Sequence, residues 1–174
     1  FGDSVNPTSI LNYTGGDNTN ILAVHSLSKR SSMAGYRAAF IVGDPALIAR
    51  ILEVRKHAGM MVPLPVQVAM VAALSDEEHV VQQRARYNAR RATLAPALRA
   101  AGFTIENSEA GLYIWATRNE NCWDSVSWLA ELGIIATPGV FYGDLGASHI
   151  RIAMTATDAQ ISEAAARISS KVGA

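Results

Sequence analysis

The sequence predicts an α/β fold, and three observations carry that prediction. Short apolar runs bounded by turn residues alternate along the chain with segments of helical periodicity, as strands and helices laid down in turn would. Helix starts are spelled out chemically, by Asp44-Pro45 and by Thr157 with Gln160 three residues on. Of the 174 residues, 49% are apolar and 17% charged, which supplies a core and argues against disorder. The length fits one domain, or one and a fraction.

Residues 1–20 are rich in Asn, Gly, Asp, Ser and Thr and read as loop. Turns fall at Asn6-Pro7 and Gly15-Gly16-Asp17, with a short helical turn near Ile10-Leu11. Ile21-Leu22-Ala23-Val24 reads as a buried strand, Ser26 to Ser32 as a polar loop, and Tyr36 to Val42 as a second strand closed by Gly43. Asp44 as N-cap and Pro45 as first helical residue open a helix with Leu47, Ile48, Ile51 and Leu52 at helical spacing, and Gly59 stops it. Pro63 and Pro65 break the chain. Val66 to Leu74 is apolar all round, so a helix there is expected to be buried. Ser75 followed by Glu78 has the capping-box pattern and predicts a long polar helix over 76–101. Val80, Tyr87, Leu94 and Leu98 form its apolar side and Pro96 is expected to kink it. This helix looks like a hinge between two structural units.

Beyond Gly102, Phe103 to Ile105 and Leu112 to Ala116 read as strands, and Asp124 to Leu132 as a helix stopped by Gly133. Ile134 to Ala136 reads as a short strand ended by Pro138-Gly139. From His149 to Met154 the chain alternates, with Ile150, Ile152 and Met154 on one face and His149, Arg151 and Ala153 on the other. The Thr157–Gln160 capping box opens a last helix whose buried stripe is Ile161, Ala165, Ile168 and Val172.

Lys+Arg and Asp+Glu number 15 each, so the formal net charge is zero, which argues against a protein built to grip nucleic acid or an anionic membrane. Arg84, Arg86, Arg90, Arg91 and Arg99 crowd one helix and read as a solvated, ion-paired face. No apolar run approaches the roughly 20 residues of a membrane span. Cys122 is the single cysteine, so no internal disulfide or thiolate metal cluster can form. That agrees with a reducing, cytoplasmic setting. His25, His57, His79 and His149 have no metal-ligand spacing, and no metal is expected.

Lys29 is the centre of the chemical reading. A lone lysine after a strand is ordinarily a solvated surface residue, but Ser26, Ser28 and Arg37 flank this one and Gly35 leaves the backbone open to close approach. Hydroxyls with a guanidinium make a phosphate clamp. A lysine beside such a clamp points to a phosphorylated carbonyl cofactor held as a Schiff base. The string Ser26-Leu27-Ser28-Lys29, followed by Gly35-Tyr36-Arg37, resembles the cofactor-lysine segment of class I aminotransferases, fold-type-I enzymes that use pyridoxal 5′-phosphate. The resemblance implies that Lys29 binds the cofactor and moves the proton, and that Ser26 and Arg37 hold the phosphate, with Ser28 a lesser candidate.

Arg151 alone would read as a solvent-facing strand arginine. It follows Pro138-Gly139-Val140-Phe141-Tyr142-Gly143 and precedes a capped final helix, an order similar to that of the same family. By that resemblance Arg151 takes the substrate α-carboxylate in a two-pronged salt bridge. Gly111-Leu112-Tyr113-Ile114-Trp115 looks like a strand of the family's small domain.

The resemblance runs from about Ile21 to the C-terminus. It sharpens at Ser28-Lys29-Arg30-Ser31, Ala34-Gly35-Tyr36-Arg37 and Val54 to Pro63, which look like actinobacterial N-succinyldiaminopimelate aminotransferases. It implies the C-terminal part of a fold-type-I enzyme: residues 1–75 the end of the large domain, 76–101 a linking helix, 102–174 the small domain. It also implies amino transfer between an amino acid, N-succinyl-L,L-diaminopimelate being the expected donor, and 2-oxoglutarate, in lysine biosynthesis, by a homodimer. The family's upstream cofactor contacts (a stacking ring, an Asn, an Asp) have no counterpart in the 28 residues before Lys29, so the chain is expected to be a portion of the enzyme. Two alternatives stay open: another fold-type-I reaction such as a lyase, and a truncated, non-catalytic module.

Overall fold

The computed structural model describes residues 8–59 and 61–173; the expected Asn6-Pro7 turn and Met60 lie outside them. The chain divides into two compact units, one ending at Gln82 and the other beginning at Gln83.

In the first unit, Ser9 caps a 3-10 turn over Ile10–Tyr13, at the place where the sequence predicts a helical turn. Strand β1 (Leu22–Ser26) pairs antiparallel with β2 (Ala39–Gly43), from Leu22↔Gly43 to Ser26↔Ala39. The connection between them is more ordered than a polar loop. It holds a single helical turn, α1 (Leu27–Arg30), and a 3-10 turn over Ala34–Tyr36, so β2 begins at Ala39 and not at Tyr36. The cause is local: the Ser26 hydroxyl accepts from Ser28 N at 3.1 Å, while Leu27 and Ala38, joined by Leu27 N donating to Ala38 O at 3.3 Å, are both buried.

Helix α2 (Pro45–Ala58) starts as its sequence states. Asp44 Oδ1 accepts from Ala46 N at 2.7 Å and Leu47 N at 3.3 Å, and Gly59 ends the helix in the left-handed conformation at φ 71°. Pro63 and Pro65 do not merely break the chain; they open α3 (Leu64–Ser75), where a missing N–H costs nothing. The expectation that α3 is buried all round is wrong within this unit. Only Met70 is buried, while Val68 and Val71 are 61% and 64% exposed. The core here is Leu27, Met33, Ala38 and Met70, and α3 turns a single side to it. Likewise no residue of α2 is buried. Ser75 is not the cap of the next helix. It closes α3, its hydroxyl donating to Val71 O at 2.9 Å, and Asp76 Oδ1 instead accepts from Glu78 N at 2.9 Å to open α4 (Glu78–Ala100).

In the second unit α4 buries Leu94, Ala95, Ala97 and Leu98, with Pro96 inside the helix. A four-stranded sheet follows, ordered β3–β4–β6–β5 and antiparallel throughout: β3 (Thr104–Ile105), β4 (Tyr113–Thr117), β5 (Thr137–Pro138) and β6 (His149–Ala153). Helix α5 (Cys122–Glu131) begins two residues before Asp124 because Asn121 Oδ1 caps it, accepting from Trp123 N at 3.0 Å. The expected strand Ile134–Ala136 does not form. Ile134 N is taken by Leu129 O at 2.9 Å in closing α5, and Ile135 is exposed, so pairing with β6 starts only at Thr137. Helix α6 (Asp158–Val172) carries the capping box at Thr157 and Gln160 and buries Ile161, Ala165 and Ile168. Val172, at its exposed end, leaves the stripe. One sheet face contributes Ile114, Ala116, Ile150 and Ile152 to a core completed by α4, α5 and α6.

Candidate active site

The first unit presents the Lys29 segment. Leu27, fully buried, is its peg: Ser31 N and Met33 N both donate to Leu27 O, at 3.1 and 3.3 Å. Above that peg Ser26, Lys29 and Arg37 are exposed and Ser28 is half-buried. Arg37 has left-handed backbone, φ 53°, and donates from Nη1 to Ala34 O at 3.0 Å. Sequence reasoning missed the role of Arg30. Its Nη1 donates to Ala73 O and Ser31 Oγ, both at 3.2 Å, and its Nη2 pairs with Glu77. Of two adjacent cations, one is thus committed to the fold. Lys29 and Arg37 have no carboxylate partner among the described residues. His25, which could have lined this segment, stacks on Phe40 across the β-pair, ring centroids 5.4 Å apart.

This donor set fits a phosphorylated carbonyl compound. The Ser26 oxygen accepts from Ser28 N while its own hydrogen stays available, Arg37 has used one N–H of five, and the Lys29 amine is accessible.

The second unit presents Arg151. The register Tyr113↔Ala153, Trp115↔Arg151 and Thr117↔His149 puts Tyr113, Trp115, His149 and Arg151 on the sheet face opposite Ile114, Ile150 and Ile152. The Arg151 guanidinium carbon lies 4.1 Å from the Tyr113 ring centroid and 4.9 Å from that of Tyr142. Trp115 meets Tyr142 edge-on at 5.9 Å and stacks on His149 at 5.2 Å. His149 is held by Glu106 Oε2 on Nε2 and Ser148 Oγ on Nδ1, each at 3.2 Å. The Arg151 guanidinium has no hydrogen bond or ion pair among the described residues, and its Nε is buried. Its face holds it, and its terminal N–H groups stay open. The ring at position 113 sits in the Gly-x-Tyr-x-Trp string, but nothing in that string says it would meet Arg151.

Two arginines of α4 are tied into the fold. Arg90 pairs with Asp158 Oδ1 at 2.5 Å and donates to Met154 O at 3.0 Å, and Arg91 donates to Asn88 Oδ1 at 3.1 Å and Gly111 O at 2.7 Å. Burial pushes the Arg91 guanidinium below its ordinary value. Cys122 is buried. No described helix is long and apolar enough to cross a membrane.

The chain matches the family described as aminotransferase class I and II over residues 1–168, and it belongs to that family. It is 58% identical over 170 residues to the probable aminotransferase Rv1178 of Mycobacterium tuberculosis, across 97% of this chain and 41% of that protein. It is 57% identical to the 4-dedimethylamino-4-oxo-anhydrotetracycline transaminase OxyQ of Streptomyces rimosus, across 97% of this chain and 47% of that protein. An LL-diaminopimelate aminotransferase of Dehalococcoides mccartyi is 33% identical, across 95% and 44%. Among solved structures, an aminotransferase from Neisseria meningitidis superposes with a TM-score of 0.83 at 30% identity, over 93% of this chain and 43% of that one. The chain spans under half the length of the curated relatives it matches. The α/β fold is that of this family's fold type I.

Proposed function

We propose that the chain carries the cofactor-lysine segment and small domain of a pyridoxal 5′-phosphate-dependent aminotransferase, which passes an amino group from an amino acid to 2-oxoglutarate. Residues 1–75 then belong to the large domain, 76–101 link it to the small one, and 102–174 form the small domain of a homodimer subunit. The observation that carries the reading is the connection between β1 and β2, which presents Ser26, Ser28, Lys29 and Arg37 with neither cation spent on a carboxylate. The cofactor, when bound, supplies the electron sink for removing a proton from the substrate α-carbon. Ser26 donates its hydroxyl hydrogen to the phosphate, Arg37 offers its remaining N–H groups to the same oxygens, and Ser28 adds a third polar group. Lys29, on a flexible four-carbon stem, binds the cofactor and serves as the base that takes the proton and returns it. Arg151 offers two parallel N–H bonds to the substrate carboxylate and so holds that end of the substrate.

For the donor, the motifs from Ser28 to Pro63 and the likeness to LL-diaminopimelate aminotransferases support N-succinyl-L,L-diaminopimelate. A second reading draws on the likeness to OxyQ, named as a 4-dedimethylamino-4-oxo-anhydrotetracycline transaminase; the exposed pair Trp123–Phe141, 5.7 Å apart, offers apolar surface for a substrate of that kind.

The test is to load the intact protein with pyridoxal phosphate, reduce with borohydride and map peptides. A pyridoxyl group on Lys29 is expected, together with loss of amino transfer in Lys29→Ala and partial retention of cofactor binding. An unmodified Lys29 overturns the reading, and release of ammonia with pyruvate in place of amino transfer would assign a lyase.

A further inference from the structure

We infer that Tyr113 and Tyr142 are positioning residues for Arg151: their rings hold its guanidinium by the face, so that its terminal N–H groups stay free and aimed for a substrate carboxylate. The inference rests on the carboxylate role proposed above for Arg151.

An arginine side chain has many rotamers, and a site that uses one must hold it still. The usual device, a neighbouring carboxylate, would neutralise the charge and occupy the donors the substrate needs. Here neither happens. Arg151 has no ion pair or hydrogen bond through its guanidinium among the described residues, and its contacts are rings, Tyr113 at 4.1 Å and Tyr142 at 4.9 Å. A cation over a ring is attracted by the ring's quadrupole and spends no N–H in the contact.

Each ring is itself held. Tyr113 is built into β4, two residues from the Trp115 that pairs across the sheet with Arg151. Tyr142 ends a 3-10 turn over Gly139–Tyr142, and Trp115 meets it edge-on at 77°. Trp115 is backed in turn by the stacked His149, which Glu106 and Ser148 hold at its two nitrogens. The support thus runs from Glu106 on one side to Arg151 on the other through ring contacts. The Tyr142 hydroxyl has no partner among the described residues, so the ring and not the hydroxyl is what the arrangement uses.

The test is a double-mutant cycle in the intact protein, read in two ways. One is direct calorimetric binding of succinate, a carboxylate with no amino or keto group. The other is the split between KM and kcat for amino and keto acids. Tyr142→Leu is expected to weaken succinate about 3- to 30-fold, the range of one cation–π contact. KM should rise by a similar factor whatever the substrate side chain, with kcat little changed. Tyr142→Phe, which keeps the ring, is expected to match the unmodified protein. In the Arg151→Ala background, Tyr142→Leu should add nothing, because the ring then has no cation to position. Equal weakening by Tyr142→Leu with and without Arg151 would overturn the inference, as would loss of binding in Tyr142→Phe. If Arg151→Ala leaves succinate binding unchanged, the carboxylate role falls and the inference with it. If Arg151→Ala weakens binding and Tyr142→Leu does not, the positioning role alone falls.

Discussion

Gly139 shows how a single absent methyl group can set a functional loop. A Cβ built there would lie 2.3 Å from Gly146 O, 2.5 Å from His149 O and 2.9 Å from a ring carbon of Trp115. The first two are backbone atoms and cannot swing aside, and Gly146 meets Gly139 just as closely from the other side. The two glycines therefore let the ends of the 139–146 segment touch, which fixes the turn that presents Tyr142. Gly139→Ala is expected to cost about 1–3 kcal/mol of stability through overpacking, and to change Trp115 fluorescence as that ring is pushed. Gly35 is the control, since a Cβ there meets nothing within 4 Å. A Gly139→Ala protein melting at the same temperature as Gly35→Ala would show that the close approach is unimportant.

At the scale of the element, Asp44 joins two parts of the chain. Its Oδ1 caps α2, its Oδ2 accepts from Asn20 N at 2.8 Å, and its own N–H donates to Ile21 O at 2.9 Å. The hydrogen bond from Asn20, followed by that from Ala46, holds the carboxyl below the ordinary aspartate value, with burial opposing. A depressed folded value means that this stabilisation is complete above the ordinary value, about 3.9, and is lost as pH falls through the lower folded value. Asp44→Asn should therefore lower the melting temperature at pH 6, and the gap from the unmodified protein should narrow toward pH 3. A gap of the same size at both pH values would rule out this carboxylate as the source. Elements of this kind are legible in the amino-acid sequence, because Asp44-Pro45 and Thr157 with Gln160 place cap and helix within a few residues of each other. Positions that depend on distant partners are not. Arg30 meets Glu77 47 residues away, Ile134 is drawn into the end of α5, and the apolar run on α3 buries Met70 alone. The candidate site divides in the same way. Ser26, Ser28, Lys29 and Arg37 form a string that can be read, whereas the rings around Arg151 come from a strand and a turn that only folding brings to it.

At the scale of the chain, the decisive contrast is between two cores of unequal size. Among the described residues, the unit beginning at Gln83 buries 16 apolar residues in one cluster, drawn from three helices, a sheet and the loops that join them. The unit ending at Gln82 gathers 4 in its cluster, and its sheet is a two-stranded pair. A two-stranded pair is marginal without apolar cover, and each buried aliphatic side chain contributes about 1.5–3 kcal/mol. Local opening should therefore be far easier in the first unit. Hydrogen exchange on the 174-residue chain is expected to show β1 and β2 exchanging well before β4 and β6. Leu98→Ala, which empties a fully buried position in the larger cluster, should cost about 2–5 kcal/mol and speed exchange in β4 and β6 while leaving β1 and β2 unaffected. Uniform protection across both units, or a Leu98→Ala effect spread equally over all four strands, would mean that the two cores share one cooperative unit. The Lys29 segment would then draw its order from the larger cluster and not from Leu27 and its few neighbours.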